Sequence, residues 1–290
     1  MKELTRKAYA KINLGLDVVC RLENGYHEVK MIMQTVGIYD ELTFSKREEG
    51  ITISTDTGEL PTDGDNLIYK AARILLDSCG VQGGVHVHLQ KRIPIAAGMA
   101  GGSSDAAATL RGVNELYGLG CTMEELQKLG VKIGADVPYC IVGGTALAEG
   151  IGEKLTILPS APQCIVLVAK PAISVSTKYV YEHLDVAGLT LHPDIDGMRA
   201  AIEENDLQGV LERMENILET VTVQAHPVIA EIKERMLELG ACKSLMSGSG
   251  PTVFGIFDNQ ETARAAYEKI REEGQAPEVF LTTLIQDIDL

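Results

Sequence analysis

The segment PIAAGMAGGSSDAAATL, residues 94–110, constrains this chain more than any other. The alternating strand pattern GVHVHLQK at 84–91 enters it, and an Ala-rich run with high helix propensity leaves it. Gly98, Gly101 and Gly102 let the backbone take positive φ and approach another group closely, while Ser103 and Ser104 add hydroxyl donors. A helix predicted over Asp105–Tyr117, ending near Gly118, points its unpaired N–H groups and positive dipole end back into the glycines. The unit is therefore a local anion site, or more plainly a tight turn that caps a helix. It is not a P-loop, because the chain contains no Gly-Lys dipeptide, and its G-x-x-G-G spacing is not the G-x-G-x-x-G fingerprint.

Charge sharpens the point. The 290 residues carry a formal net charge of -15, so an anionic ligand must be held by local potential. The same balance argues against a nucleic-acid partner, whose phosphates demand clustered Lys and Arg. Aromatic residues make up 4% of the chain and Trp is absent, which leaves a core of Leu, Ile, Val, Ala and Met. Six cysteines, at 20, 79, 121, 140, 164 and 242, form no CxxC pair and read as reduced, buried thiols of a cytoplasmic protein. The opening MKELTRKAYAK lacks the apolar region of a secretory leader, and the longest apolar run, CIVLVA at 164–169, is too short to span a membrane. No membrane partner is expected, and the oligomeric state is not legible.

Residues 4–54 read as several antiparallel strands. A helical stripe follows over 65–79 with Asp65 as its N-cap, and Thr122 with Glu125 forms a capping box. LPSAPQ at 158–163 predicts a break, hence domains 1–158 and 159–290. Beyond it come a strand at 164–170 and helices near 176–184, 194–203, 206–220 and 226–239. Strands at 241–246 and 252–257 flank a second Gly-rich turn, and a helix at 260–273 and a strand at 278–285 follow. The pattern is α+β with two domains.

Several charged residues stand out against their surroundings. Asp136 lies in GADVP between Gly134 and Pro138, where a plain cap or turn role is the simplest account. Lys11 stands among Ala10, Ile12 and Leu14, either snorkelling or functional. Asn13 shares its strand face, as a ligand donor or a water-facing amide. Other patterns fail: His27-Glu28 begins HExxH but Met31 replaces the second His, His86 and His88 lack a third ligand, and SGSGPT lacks G-x-S-x-G spacing.

Three segments, AYAKINLGLDV at 8–18, PIAAGMAGGSSDAA at 94–107 and LMSGSGPTVFGIF at 245–257, together resemble the ordered motifs of the GHMP kinases. That family includes galactokinase, homoserine kinase and the mevalonate kinases. NGYHEV at 24–29 and GADVPYC at 134–140 resemble the branch that phosphorylates a cytidine diphosphate-linked isoprenoid precursor. The resemblance implies a ribosomal S5 domain 2-like N-terminal domain and a ferredoxin-like C-terminal domain. It implies ATP with Mg2+, the nucleotide lying along Pro94, Ile95, Ala96, Ala97, Gly98, Met99, Ala100, Gly101, Gly102, Ser103 and Ser104. It gives Asp136 the role of catalytic base, with Lys11 beside it to stabilise developing charge and Asn13 bonding substrate. In Gly25-Tyr26-His27, Tyr26 would stack on the pyrimidine and His27 would bond a base edge; Tyr179 or Tyr181 would close the other side. Met99 stands where Leu is commoner, and Met33 where an aromatic residue occurs. A mevalonate- or homoserine-type kinase is the alternative, against which the NGYHE loop argues. A non-catalytic relative is another, against which Lys11, Asp136 and the 94–104 loop argue.

Overall fold

Alternation of apolar and polar residues drives the first part of the chain into long strands. The computed structural model describes residues 3–288. In chain order the elements begin with β1 (Glu3–Arg21), β2 (His27–Arg47), β3 (Ile51–Thr55), α1 (Leu67–Ser78), β4 (Gly84–Gln90) and α2 (Gly101–Tyr117). They continue with α3 (Met123–Gly130), α4 (Val137–Val142), β5 (Thr145–Gly150) and β6 (Lys154–Ile157). Next are β7 (Ile165–Lys170), α5 (Thr177–His183), α6 (Ile195–Glu203), α7 (Leu207–Arg213), α8 (Glu219–Ala225) and α9 (Val228–Glu238). The last are β8 (Lys243–Met246), β9 (Val253–Phe257), α10 (Gln260–Glu273) and β10 (Glu278–Thr283). These elements form two compact units interleaved in sequence. One holds the chain up to Ala10, Ile38–Ile93 and Ala100–Gly143; the other holds Lys11–Gly37, Pro94–Met99 and the chain from Gly144 onward.

In the first unit, Glu41–Arg47 of β2 pairs antiparallel with β4, and β4 pairs with β3. That last pairing is parallel, where antiparallel strands were expected, because α1 lies between β3 and β4 in the chain and supplies the crossover that parallel neighbours need. Along β2 the even positions Ile38, Leu42 and Phe44 are buried, and Asp40 is buried with them. Phe44 packs against α2 where Gly112 leaves room: a Cβ there would lie 2.6 Å from the Phe44 ring. Burying each such Leu, Ile or Phe contributes about 1.5–3 kcal/mol. The N-cap of α1 is Asn66, not Asp65; Asn66 Oδ1 accepts from Ile68 N at 2.9 Å, while the Asp65 N–H turns to Asp63. The Thr122–Glu125 capping box is present, and Gly118 closes α2 with φ 64°. Helix α2 begins at Gly101, four residues before the expected start, so Gly101, Gly102, Ser103 and Ser104 form its first turn.

In the second unit, Val29–Gln34 of β2 pairs with β5, which pairs with β6. A separate antiparallel sheet has the order β10-β7-β9-β8. Helices α5 to α9 connect β7 to β8, and α10 connects β9 to β10, a ferredoxin-like β-α-β-β-α-β path. The helix expected over 206–220 is two helices, α7 and α8. Between them the chain straightens to pair with β1, with Leu16 N donating to Glu215 O at 2.9 Å and Ile217 N to Leu16 O at 3.0 Å. The cysteines differ from expectation: of the six, only Cys164 is buried, and burial pushes its thiol up to about 12. No helix among the described residues is long and apolar enough to cross a membrane.

Candidate active site

The glycine stretch is held in an unusual backbone path. Ala96, Gly98 and Ala100 all have positive φ, at 51°, 71° and 57°. For each alanine the left-handed conformation costs about 1–2 kcal/mol, which persists only where surroundings impose it. Part of that imposition is visible in the second unit. Lys11 N donates to Met99 O at 3.2 Å, and Ser247 Oγ donates to Gly98 O at 3.0 Å. A Cβ on Gly98 would stand 2.3 Å from Ser247 O, so only glycine allows this approach. The turn at 247–252 is itself fixed: Asn216 Nδ2 donates to Met246 O and to Gly248 O, each at 2.8 Å. The two glycine-rich motifs of the sequence thus meet. Sequence reasoning missed Asn216, whose only signal was an amide inside an otherwise helical pattern.

Lys11 and Asn13 project from the same face of β1 and touch. Lys11 Nζ donates to Asn13 Oδ1 at 2.8 Å, and Asn13 Nδ2 donates to Met31 Sδ at 3.2 Å. Both residues are buried, Asn13 completely. Lys11 therefore does not snorkel, and Asn13 is not a water-facing edge amide. A buried ammonium requires such partners, and Asn13 aims it. Asp17, further along the same face, is buried and holds His192 Nδ1 at 2.9 Å. Its period-two spacing from Lys11 and Asn13 was the signal that could have found it.

In the first unit, the start of α2 presents its amide end. The N-cap, Ala100, supplies no side-chain acceptor to these amides. Gly102 is exposed, and a Cβ there would meet only Leu67 Cδ1, at 3.5 Å. The buried Ser104 hydroxyl donates to Tyr9 O. A Cβ on Gly134 would lie 3.8 Å from Ser103 Oγ, so the GADV segment runs beside this first turn. Asp136 occupies the N-cap position of α4, yet its side chain makes no cap hydrogen bond; its backbone O accepts from Cys140 N at 3.0 Å. Pro138, read from sequence as part of a rigid turn, sits in the first turn of that helix, where its missing N–H is harmless.

The turn joining β1 to β2 belongs to the second unit. Gly25 takes φ 84°, Leu22 N donates to Tyr26 O at 2.8 Å, and Tyr26 N donates to Asn24 Oδ1 at 3.0 Å. The Tyr26 ring is left 59% exposed. His27 packs on Tyr181, with ring centroids 5.2 Å apart, whereas Tyr179 stacks on His183 of its own helix. Burial, with the charge of Arg21 adding, holds the His27 imidazole below the ordinary histidine range. It is therefore neutral at pH 7, able to donate from one ring nitrogen and accept at the other.

Comparison with known proteins gives the family of the chain. Residues 66–144 match the model of the GHMP kinases N-terminal domain, and residues 198–276 that of the GHMP kinases C-terminal domain. A 4-diphosphocytidyl-2-C-methyl-D-erythritol kinase from Lachnospira eligens is 54% identical over 97% of this chain and 98% of its own length. One of the same name from Lachnoclostridium phytofermentans is 51% identical over 99% of each. Among solved structures, a 4-(cytidine 5'-diphospho)-2C-methyl-D-erythritol kinase superposes with TM-score 0.83 at 33% identity, covering 98% of this chain and 100% of that one. A homoserine kinase from Cytophaga hutchinsonii, 21% identical with TM-score 0.74, shares the fold. Matched by both halves of the family model, and by relatives about half identical from end to end, the chain belongs to the GHMP kinase family.

Proposed function

We propose that this protein transfers the γ-phosphoryl group of ATP to a hydroxyl of 4-diphosphocytidyl-2-C-methyl-D-erythritol, in the cytoplasm, as a step of non-mevalonate isoprenoid precursor synthesis. The observation that carries the reading is the exposed Tyr26 ring followed by the His27–Tyr181 pair, a surface suited to a pyrimidine. It stands on a chain whose full-length relatives are named for a cytidine-bearing substrate. Tyr26 stacks on the base, neutral His27 bonds its edge, and Tyr181, rather than Tyr179, supports His27.

Phosphoryl transfer asks the protein for positioning and charge neutralisation more than for covalent chemistry. Residues 94–104 cradle the phosphates through backbone amides. Asp136 accepts the proton of the attacking hydroxyl. Lys11, aimed by Asn13, stabilises the negative charge that develops during transfer. These residues, with the nucleotide loop, fall within 1–158, which we take as the N-terminal GHMP kinase domain with 159–290 as the C-terminal one, a division along the sequence that differs from the two compact units. Among the described residues no cluster of three or more His, Cys, Asp and Glu forms a metal cage. Mg2+ would enter on the phosphates of ATP and neutralise charge there, as the kinase reading implies.

The decisive experiment supplies ATP, Mg2+ and a panel of alcohols comprising the cytidine diphosphate-linked tetrol, mevalonate and homoserine, and identifies the phosphorylated product. Product from the cytidine-linked alcohol alone is expected. Turnover of mevalonate or homoserine in its place would transfer the protein to another branch of the family. Tyr26→Ala is expected to raise the KM for the cytidine-bearing acceptor by the equivalent of about 1–3 kcal/mol and to leave the KM for ATP alone. A rise in ATP KM instead would mean that the two sites have been exchanged.

A further inference from the structure

Beneath the first turn of α2 lies a buried group of three charged residues that the mechanism above does not use. Asp40, on the inward face of β2, is fully buried. Its Oδ1 accepts from Ile93 N at 2.8 Å and from Arg92 N, and its Oδ2 accepts from Lys91 Nζ. Three N–H donors around one carboxyl are the surroundings of an ionised carboxylate. Asp105, one turn into α2, is 3% exposed and is treated differently. Its Oδ2 stands 3.5 Å from Lys91 Nζ, beyond a good charge-assisted hydrogen bond, and its buried Oδ1 receives none. Lys91 lies between the two acids, and a Cβ placed on Gly101, the first residue of α2, would be 3.0 Å from its Nζ.

One cation and two ionised carboxylates would leave a net negative charge buried under amides that face an anion, a costly arrangement. The surroundings assign the roles: Asp40 has the donors, and Asp105 lacks them. Burial pushes the Asp105 carboxyl well above the ordinary carboxylate range; Lys91 opposes the shift and Asp40 adds to it. The other helices packed on α2 bring apolar residues to this core, among them Ala71 and Leu75 of α1, Leu126 of α3, and Val137 and Ile141 of α4. Asp40 and Lys91 are therefore the charged groups that govern Asp105.

We propose that Lys91 is a positioning residue for the nucleotide, clamped between ionised Asp40 and protonated Asp105 so that it fixes the first turn of α2 within an electrically neutral triad. The proposal rests on the reading of residues 94–104 as the phosphate cradle. The proton on Asp105 lets the helix dipole act on phosphate without an opposing charge below it. Loss of that proton as pH rises introduces the opposing charge.

The proton is tested without nucleotide. Infrared spectra of the intact protein at neutral pH are expected to contain a protonated-carboxyl band that Asp105→Asn removes. Because the folded state raises this carboxyl, the folded protein binds the extra proton. The stability it confers is full below the unfolded carboxylate value of about 4 and is lost as pH rises toward the folded value. The Tm of the wild type should therefore fall relative to that of Asp105→Asn as pH rises through this window. The positioning role is tested with ATP. Wild-type KM for ATP should climb as pH rises while that of Asp105→Asn stays flatter. Lys91→Met should raise ATP KM by roughly 10–100-fold, the loss expected for hydrogen bonds to charged groups, with acceptor KM within about twofold. An unchanged carboxyl band together with parallel Tm–pH curves overturns the protonation assignment, whatever binds at the loop. A folded Lys91→Met protein with normal ATP KM, or one in which both KM values rise together, overturns the positioning role. If Lys91→Met does not fold, parallel KM–pH curves for wild type and Asp105→Asn overturn it instead.

Discussion

Asp136→Asn is expected to lower kcat by about 10²–10⁴-fold, the range of a general base, with ATP affinity little changed. The amide keeps the size and shape of the carboxylate but cannot take up the hydroxyl proton. The fold should tolerate the change, because the bond from Cys140 N to Asp136 O is a backbone one and is untouched. Lys11→Met should cost a similar factor, since it removes the charge that Asn13 Oδ1 holds in place. Groups that serve one transition state are not additive, so the double variant should be little slower than either single one. Single-turnover rates with saturating ATP and acceptor measure the effect. A folded Asp136→Asn protein with full turnover, under conditions where chemistry limits the rate, removes Asp136 as the base. Fully multiplicative losses in the double variant separate the two roles.

Gly98→Ala is expected to damage both stability and nucleotide binding. The residue has φ 71°, and its new Cβ would be forced to within 2.3 Å of Ser247 O, a backbone atom that cannot swing aside. The left-handed penalty of about 1–2 kcal/mol combines with displacement of the 247–250 turn, for a total of about 2–4 kcal/mol. In a chain of this size that corresponds to a fall in Tm of roughly 3–7 °C. Gly102→Val makes the contrast. Its Cβ meets only Leu67 Cδ1 at 3.5 Å, so the fold is retained, but the side chain stands on the exposed side of the first helical turn. ATP affinity should drop in a protein of near-normal Tm. Unchanged nucleotide affinity in folded Gly102→Val would show that phosphate binds elsewhere. A Gly98→Ala protein as stable as wild type would mean that the two glycine turns are not held together as described.

Much of this protein is written in local chemistry. The period-two pattern of β4, the capping box at Thr122–Glu125 and the glycine that closes α2 are decided by neighbours a few residues away, and they are where the sequence predicts them. Apart from the helix expected over 206–220, the same holds for the strand and helix order from β7 to β10, whose short apolar runs are bounded by turn residues. Residues 94–104 stand out as a glycine cluster between a strand and a helix pattern, whereas the roles given to Lys11 and Asp136 come from the resemblance to the GHMP kinases, the plain structural reading being the simpler one from the residues alone.

Long-range contacts decided the rest. The strand direction of β3 depends on a partner 34 residues away, which periodicity cannot encode. Helix α2 starts at Gly101 and not Asp105, against the low helix propensity of glycine, and Lys91 packs against that first residue. The helical pattern over 206–220 breaks because β1 pairs with Glu215 and Ile217, a tertiary hydrogen bond overriding local preference. Burial decided the character of the charged residues. Lys11, Asn13, Asp40, Lys91 and Asp105 are ordinary polar letters in the sequence; only the packing around them removes water and makes each choose a partner or a proton.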